Sequence, residues 1–296
     1  MNVLVTGALG FFGKEISAHL IGKSNVISLG IEKENDIICD LSKNIPKLEI
    51  ELEMVVHAAG KAHLVPKDKK EAQAFYDVNV NGTRNLLTAL DKTNNLPVSL
   101  CFISSVAVYG LETGESISEE TELNGNTPYA LSKIEAEVLV LEWGKRNNVN
   151  ILVLRLPLLV GQNPPGNLGQ MIQAINKGYY FRIGDGRSRR SMVLAADVAG
   201  LITHSQNMQG VFNLTDGYHP TYCELENAIA IQSGRHIKTI PGTLAGYAAR
   251  LGDFIPGFPI NSIRLTKLTQ SLTFSDEKAR NLLGWKPRPV IEHFKI

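Results

Sequence analysis

Tyr129 and Lys133 stand four residues apart in Thr127-Pro128-Tyr129-Ala130-Leu131-Ser132-Lys133, at the start of a predicted helix. Residues i and i+4 share a helix face, so this spacing sets an ammonium beside a phenol. A free phenol has a pKa of about 10, and a neighbouring cation favours the phenolate and lowers that value. The pair is a candidate proton donor and acceptor for work near neutral pH. Tyr-x-x-x-Lys also arises by chance as an ordinary amphipathic pair. Two further signals single this one out, one at the N-terminus and one just upstream of the tyrosine.

The N-terminal signal is Gly7-Ala8-Leu9-Gly10-Phe11-Phe12-Gly13. It follows a predicted strand directly and opens a predicted helix. Glycines there permit a tight turn, close backbone approach to a pyrophosphate, and close helix packing. The helix N-terminus then offers free N–H groups and positive dipole to phosphates. The spacing is G-x-x-G-x-x-G rather than G-x-G-x-x-G, and the strand-before, helix-after context separates it from a merely structural glycine turn. The second strand of such a unit ends in an acid for the ribose of NAD. Here Gly30 occupies that place, Glu32 follows two residues later and Lys33 comes next. Glu32 suits ribose hydroxyls and Lys33 suits a 2′-phosphate, so NAD and NADP both stay open.

The elements that must position these groups alternate along the chain. Asn2–Thr6, Val26–Leu29, Met54–His57, Ser99–Ser104 and Ile151–Leu156 read as strands. Phe12–Leu20, Ala72–Leu90 and Tyr129–Trp143 read as helices. This rhythm predicts an α/β fold: a doubly wound, Rossmann-like parallel sheet with helices on both faces. After Val160 the breaker cluster Gly161-Gln162-Asn163-Pro164-Pro165-Gly166 changes the pattern. A smaller mixed α/β C-terminal substrate lobe is expected there, with Val211–Leu214 as a strand returning to the sheet. The expected division is residues 1–160 plus about 191–218 for the dinucleotide and about 161–190 plus 219–296 for the substrate.

Bulk properties exclude several classes. The 296 residues are 44% hydrophobic with a net charge of +1, so no strong field draws nucleic acid or an anionic membrane. Nucleic-acid binding also needs a wider basic face with aromatics. The longest apolar run, 151–160, is broken by Arg155 and Pro157 and is too short to span a bilayer. No signal peptide is read at the N-terminus. Cys39, Cys101 and Cys223 are scattered and lack any CxxC, which reads as reduced thiols in a cytoplasmic protein. No His/Cys/Asp cluster has metal-ligand spacing, so no metal is expected.

With these residues in view, the chain resembles the extended short-chain dehydrogenase/reductase family, and within it the nucleotide-sugar epimerases, dehydratases and reductases. The resemblance covers essentially the whole chain. It rests on the glycine turn, Asp40-Leu41, His57-Ala58-Ala59-Gly60, Asn79-Val80-Asn81-Gly82-Thr83, Ser104-Ser105-Val106-Ala107-Val108-Tyr109-Gly110, and Tyr129 with Lys133. Gly184-Asp185-Gly186, Arg190 through Asp197, and Leu283-Gly284-Trp285-Lys286-Pro287 fit it too.

The resemblance implies NAD or NADP as cofactor, held by Gly7, Gly10, Phe11, Phe12, Gly13 and Glu32 at the first two strands. Asp40 would contact the adenine and Leu41 would pack on it. Ala58, Ala59, Gly60, Asn79, Ser104 and Pro157 would line the rest of the dinucleotide. Ser105 would hydrogen-bond the reacting oxygen and Tyr129 would be the acid/base. Lys133 would hold the nicotinamide ribose and lower the tyrosine pKa. Asn167 and Arg190 would hold the diphosphate of a UDP- or dTDP-hexose reacting at C4. Homodimerisation through a four-helix interface is common in the family, and this sequence alone does not establish it.

Departures from the family pattern narrow the chemistry. Leu158 stands where many 4-epimerases carry asparagine, and Gly30 where their second strand ends in aspartate; both lean toward reductases of 4-keto sugar nucleotides. Val106 and Ala107 replace the acidic residues of dehydratases, which removes a dehydratase's second acid/base. Family frequency leans toward epimerase, so epimerase and 4-keto reductase both stand. A sensor of dinucleotide or sugar nucleotide, or a reductase of a non-sugar carbonyl, are the alternatives from other classes. Other residues have plainer readings. Ser104 and Ser105 are also ordinary strand ends, Tyr109 reads as packing, and His57 as a satisfied core residue. His63 is a weaker candidate to face the substrate. Arg182, Arg187, Arg189 and Arg190 form the one basic cluster, a solvated surface or a phosphate clamp.

Overall fold

The computed structural model describes residues 1–62, 65–255 and 261–296, without the side chains of 263, 264 and 267. His63 lies outside the described residues. The first half alternates strand and helix: β1 (Asn2–Thr6), α1 (Phe11–Leu20), β2 (Asn25–Gly30), β3 (Ile37–Ile38), β4 (Met54–His57), α2 (Lys69–Tyr76), α3 (Gly82–Leu90) and β5 (Ser99–Ser105). Then come β6 (Gly114–Ile117), α4 (Pro128–Asn147), β7 (Asn150–Leu156), β8 (Leu158–Val160), α5 (Gly166–Lys177), β9 (Phe181–Ile183), β10 (Met192–Leu194), α6 (Ala195–Ile202) and β11 (Gly210–Asn213).

Seven strands form one parallel sheet in the order β11-β7-β5-β4-β1-β2-β3. The chain steps outward from β1 through β2 and β3, then returns to the other side of β1 with β4. The crevice beyond the carboxyl ends of β1 and β4 is therefore the topological switch point, where ligands of such sheets bind. Strand side chains alternate between faces. Val3 and Val5 join the core packed by α1 and α6, while Leu4 joins the core packed by α3 and α4. Both faces are covered, which explains the unbroken burial of β4 and most of β7. The strand expected at 211–214 is β11, paired with β7.

Among the described residues, three two-stranded parallel pairings lie outside this sheet: β8 with β10, β9 with residues 238–240, and β6 with residues 272–274. A separate core gathers Leu168, Ile175, Met192, Leu225, Ile229 and Phe294. Trp285 instead belongs to the α1/α6 core and donates its indole N–H to the Thr215 carbonyl at 2.9 Å.

One element departs from expectation. Residues 72–90 read as one continuous helix, but a π-turn at Asp77–Asn81 divides α2 from α3. The inserted residue widens the backbone there, a feature frequent at functional sites. Asn79 lies in this turn.

Candidate active site

The glycine turn is shaped by contacts that leave no room for side chains. Gly7 has φ +67° and donates its N–H to the Leu29 carbonyl at 2.8 Å. A Cβ on Gly7 would lie 2.9 Å from Ala59 Cα, and one on Gly13 would lie 1.9 Å from the Gly7 carbonyl oxygen. Gly10 is the N-cap of α1 and offers no side-chain acceptor. The first-turn N–H groups of α1 are thus left for water or an anion.

Beside this turn, Thr6 Oγ1 bonds His57 Nδ1 at 2.7 Å and accepts the Ala59 N–H at 3.1 Å. His57 Nε2 meets Thr83 Oγ1 at 2.9 Å. Both ring nitrogens are occupied, and burial pushes the His57 pKa down to about 3. His57 is a structural pin, as its sequence context suggested.

Several cofactor-side residues expose less than the sequence implied. Phe12 is buried in the α1/α6 core, so its backbone alone faces the turn. Phe11 is half-buried, with its ring near Gly161. Leu41 packs beneath Gly82 among Leu29, Leu86 and Leu87. Its position is fixed by Asn85, whose amide donates to the Leu41 carbonyl at 2.8 Å. Asp40 accepts from Ser42 and pairs with Lys43 at 2.9 Å, and these partners hold its carboxyl below the usual range. Glu32 folds back over Gly30: its carboxylate accepts from Asn35 at 3.0 Å and would sit 2.9 Å from a Cβ on Gly30. An acid therefore stands at the end of β2 although the strand itself ends in glycine.

The proton-transfer candidates converge on the start of α4. Thr127 caps this helix, accepting the Ala130 N–H at 3.2 Å, and Pro128 fills the first helical position. That start signal fixes where Tyr129 emerges; such a cap is worth about 1 kcal/mol. Ser105 closes β5, accepts the Ala107 N–H at 3.2 Å and lies beside the Tyr129 phenol. Lys133 is buried one turn on and donates to the Ile103 carbonyl at 2.8 Å, with the Phe102 ring 4.7 Å from Nζ. A Cβ on Gly60 would lie 3.1 Å from Asn79 Oδ1 and 3.3 Å from Lys133 Nζ. Asn79 accepts the Lys61 N–H at 2.8 Å and donates to Ser132 Oγ at 2.8 Å, tying the loop after β4 to α4.

Burial raises the Tyr129 pKa above its ordinary value, and the neighbouring Ser105 hydroxyl pulls it back down. Burial lowers the Lys133 pKa to about 8, opposed by the Glu137 carboxylate, so the ammonium is still mostly protonated at pH 7. The Ile103 carbonyl, the Phe102 ring and the Glu137 carboxylate surround this ammonium.

Ser104 also points elsewhere. Its hydroxyl donates to Glu137, away from the crevice, so only its backbone remains for a dinucleotide. Tyr109 is fully buried and bonded to Asn213 at 2.8 Å and Arg155 at 3.0 Å. Pro157 links β7 to β8 and is half-buried. Asn167 is exposed in the first turn of α5. Arg190 is half-buried beside the Tyr222 ring, 5.8 Å from its centroid. The rest of the arginine cluster is committed one by one: Arg182 to Glu226, Arg187 to Asp185, Arg189 to the His219 carbonyl. Among the described residues no group of His, Cys, Asp or Glu is arranged to hold a metal, and no helix is long and apolar enough to cross a membrane. Glu137 and Arg155 escaped sequence reasoning; the signals were a carboxylate one turn beyond Lys133 and a charge inside an apolar strand.

A sequence model of the NAD dependent epimerase/dehydratase family matches residues 3–214. The chain belongs to this family. A UDP-glucose 4-epimerase of Vibrio cholerae is 25% identical over 309 residues, covering 98% of this chain and 92% of that protein. A GDP-6-deoxy-D-mannose reductase of Pseudomonas aeruginosa is 34% identical over 162 residues, 52% of this chain and 51% of its own. Among solved structures, RMD from Pseudomonas aeruginosa complexed with NADPH superposes with a TM-score of 0.76 at 23% identity, covering 99% of this chain and 96% of that one. The family's Rossmann-like fold thus accounts for the seven-stranded sheet.

Proposed function

We propose that this protein is an NAD(P)-dependent enzyme acting at C4 of a nucleotide-linked hexose, as a 4-epimerase or a 4-keto sugar reductase. The observation that carries the reading is the placement of Ser105 next to the Tyr129 phenol at the start of the helix that buries Lys133, beside a glycine turn whose Cβ positions are filled by backbone. That turn fits a dinucleotide pyrophosphate, with Gly7, Gly10 and Gly13 allowing the approach and α1 supplying N–H groups. When bound, the nicotinamide accepts or supplies hydride. Tyr129 passes a proton to or from the sugar O4, and Ser105 holds the same oxygen. Lys133, fixed by Ile103, presents its ammonium toward the cofactor side. Gly60 and Asn79 shape the wall next to it. Asn167 and Arg190 are assigned to the diphosphate of the sugar nucleotide.

The relatives support both reactions: one full-length match is an epimerase, and a half-length match at higher identity is a reductase. In this proposal residues 1–160 with 191–218 bind the dinucleotide, and 161–190 with 219–296 form the substrate lobe. Two copies are proposed to pair across α4, whose Leu131, Val138 and Leu141 are exposed beside a groove of about 700 Å³ shared with α2.

Cofactor balance tests the reaction. A 4-keto-6-deoxy sugar nucleotide is mixed with NADH or NADPH, and UDP-glucose with the enzyme and NAD. A reductase consumes reduced nicotinamide stoichiometrically; an epimerase equilibrates UDP-glucose with UDP-galactose without net change. Neither signal with either sugar would remove the proposal.

A further inference from the structure

Three consecutive residues at the end of β5 face α4, and their counterparts stand on successive turns of that helix. The Ile103 carbonyl accepts from Lys133, the Ser104 hydroxyl donates to Glu137, and Ser105 lies beside Tyr129. Helix positions 129, 133 and 137 share one face. The strand end is thus laced along a single helical stripe, with Ser104 as the middle stitch.

That stitch belongs to a buried polar rung. Ser104 pairs in register with Arg155 of β7, and Arg155 with Asn213 of β11. Arg155 donates Nε to Glu137 Oε1 at 3.1 Å and a terminal nitrogen to Oε2 at 2.7 Å. Its other terminal nitrogen reaches the Tyr109 hydroxyl at 3.0 Å, which donates to Asn213. Ser104, Glu137, Arg155, Tyr109 and Asn213 are all buried. A desolvated ion pair is a poor stabiliser compared with apolar residues of the same volume. The apolar neighbours Phe102, Leu154 and Leu156 show that this sheet packs well without charge. What a two-pronged guanidinium–carboxylate pair adds is direction.

We propose that Glu137, held by Arg155 and bonded to Ser104, is a positioning residue for the reaction: it fixes Ile103–Ser105 against α4 so that Ser105 meets Tyr129 and Ile103 holds Lys133. This role rests on the reading of Ser105, Tyr129 and Lys133 as the proton-transfer set. Ser104 is the link that transmits it, and its own hydroxyl never touches substrate or cofactor. Releasing the stitch loosens geometry at the reacting oxygen while leaving the glycine turn intact.

The test uses Ser104→Ala, which removes one hydroxyl and leaves the ion pair, with Glu137→Gln as a second variant and Ser104→Thr as the conservative rescue. NADH binding is read by fluorescence, and turnover with UDP-glucose and with a 4-keto-6-deoxy sugar nucleotide. The Tyr129 phenol is titrated by ultraviolet difference absorbance against Tyr129→Phe. Expected are NADH affinity within about twofold, kcat lower by about ten- to hundredfold, little change in KM, and a Tyr129 titration moved to higher pH as Ser105 drifts away. Ser104→Thr is expected to recover most of the loss. Full kcat and an unmoved titration in folded Ser104→Ala and Glu137→Gln, with Tyr129→Phe inactive, would overturn the positioning role alone. Activity in Tyr129→Phe would instead overturn the reading beneath it.

Discussion

Gly13→Ala is the substitution whose outcome the coordinates define most sharply. In an open helix, alanine is favoured over glycine by about 1 kcal/mol. At Gly13, in the first turn of α1, the new methyl would fall 1.9 Å from the Gly7 carbonyl oxygen and 2.7 Å from Ala8 Cα. Both neighbours are backbone, so no rotamer change relieves the overlap, and α1 has to move off the turn by about 1 Å or more to regain ordinary contact distance. Overpacking of this kind costs about 1–3 kcal/mol, enough to reverse the helix preference. At about 2–4 °C per kcal/mol for a domain of this size, Tm falls by several degrees. Movement of α1 also carries its free N–H groups away, so NADH affinity falls with it. Gly200→Ala is the control: it lies inside α6 with nothing within 4 Å of a new Cβ, and it should gain up to about 1 kcal/mol. Thermal denaturation and NADH fluorescence of both variants check this. An unchanged Tm and NADH affinity in Gly13→Ala would refute the crowded-turn argument.

Other expectations concern single groups. Glu32→Ala removes the carboxylate lying over Gly30, so binding of NADPH relative to NADH should rise, because a 2′-phosphate no longer meets a like charge; competitive titration of the two coenzymes reads the ratio. Lys133 has its pKa lowered from 10.5 to about 8 by burial. Between those values the unfolded chain holds the proton and the folded chain does not, so folding stability rises with pH across that window. Relative to Lys133→Met, the parent should gain up to about 3 kcal/mol from pH 8 to pH 10.5 in urea denaturation, and parallel stabilities would contradict the buried ammonium. Leu131→Glu, on the exposed face of α4, should shift the sedimentation profile from dimer to monomer while NADH binding persists. A monomeric parent would dispose of the proposed pairing.

The parts legible in the sequence are those encoded by local spacing. Gly7, Gly10 and Gly13 between strand and helix, and Thr127-Pro128 ahead of Tyr129 and Lys133, state their backbone geometry directly, and the sheet follows from strand–helix alternation. What stayed hidden depends on direction at the end of an element. Ser104 and Ser105 are identical neighbours, yet one donates to Glu137 in the core and the other accepts the Ala107 N–H, because successive strand side chains point to opposite faces. Leu41 turns inward to join Leu29, Leu86 and Leu87, with its carbonyl held by Asn85 of α3. The π-turn at Asp77–Asn81 leaves the apolar spacing of a continuous helix nearly intact, so periodicity passes over it. The arginine run dissolves because Arg182, Arg187 and Arg189 each find their own carboxylate or carbonyl, which residue order does not specify.

The central claim is that the Tyr129 phenol moves the proton while the rest of the site holds coenzyme and sugar. Turnover and NADH affinity of Tyr129→Phe, measured on the same preparation, address it most directly. The account expects NADH to bind within about twofold of the parent while kcat drops by a factor of about 10² to 10⁴. Parent-level turnover by the phenylalanine variant would contradict it.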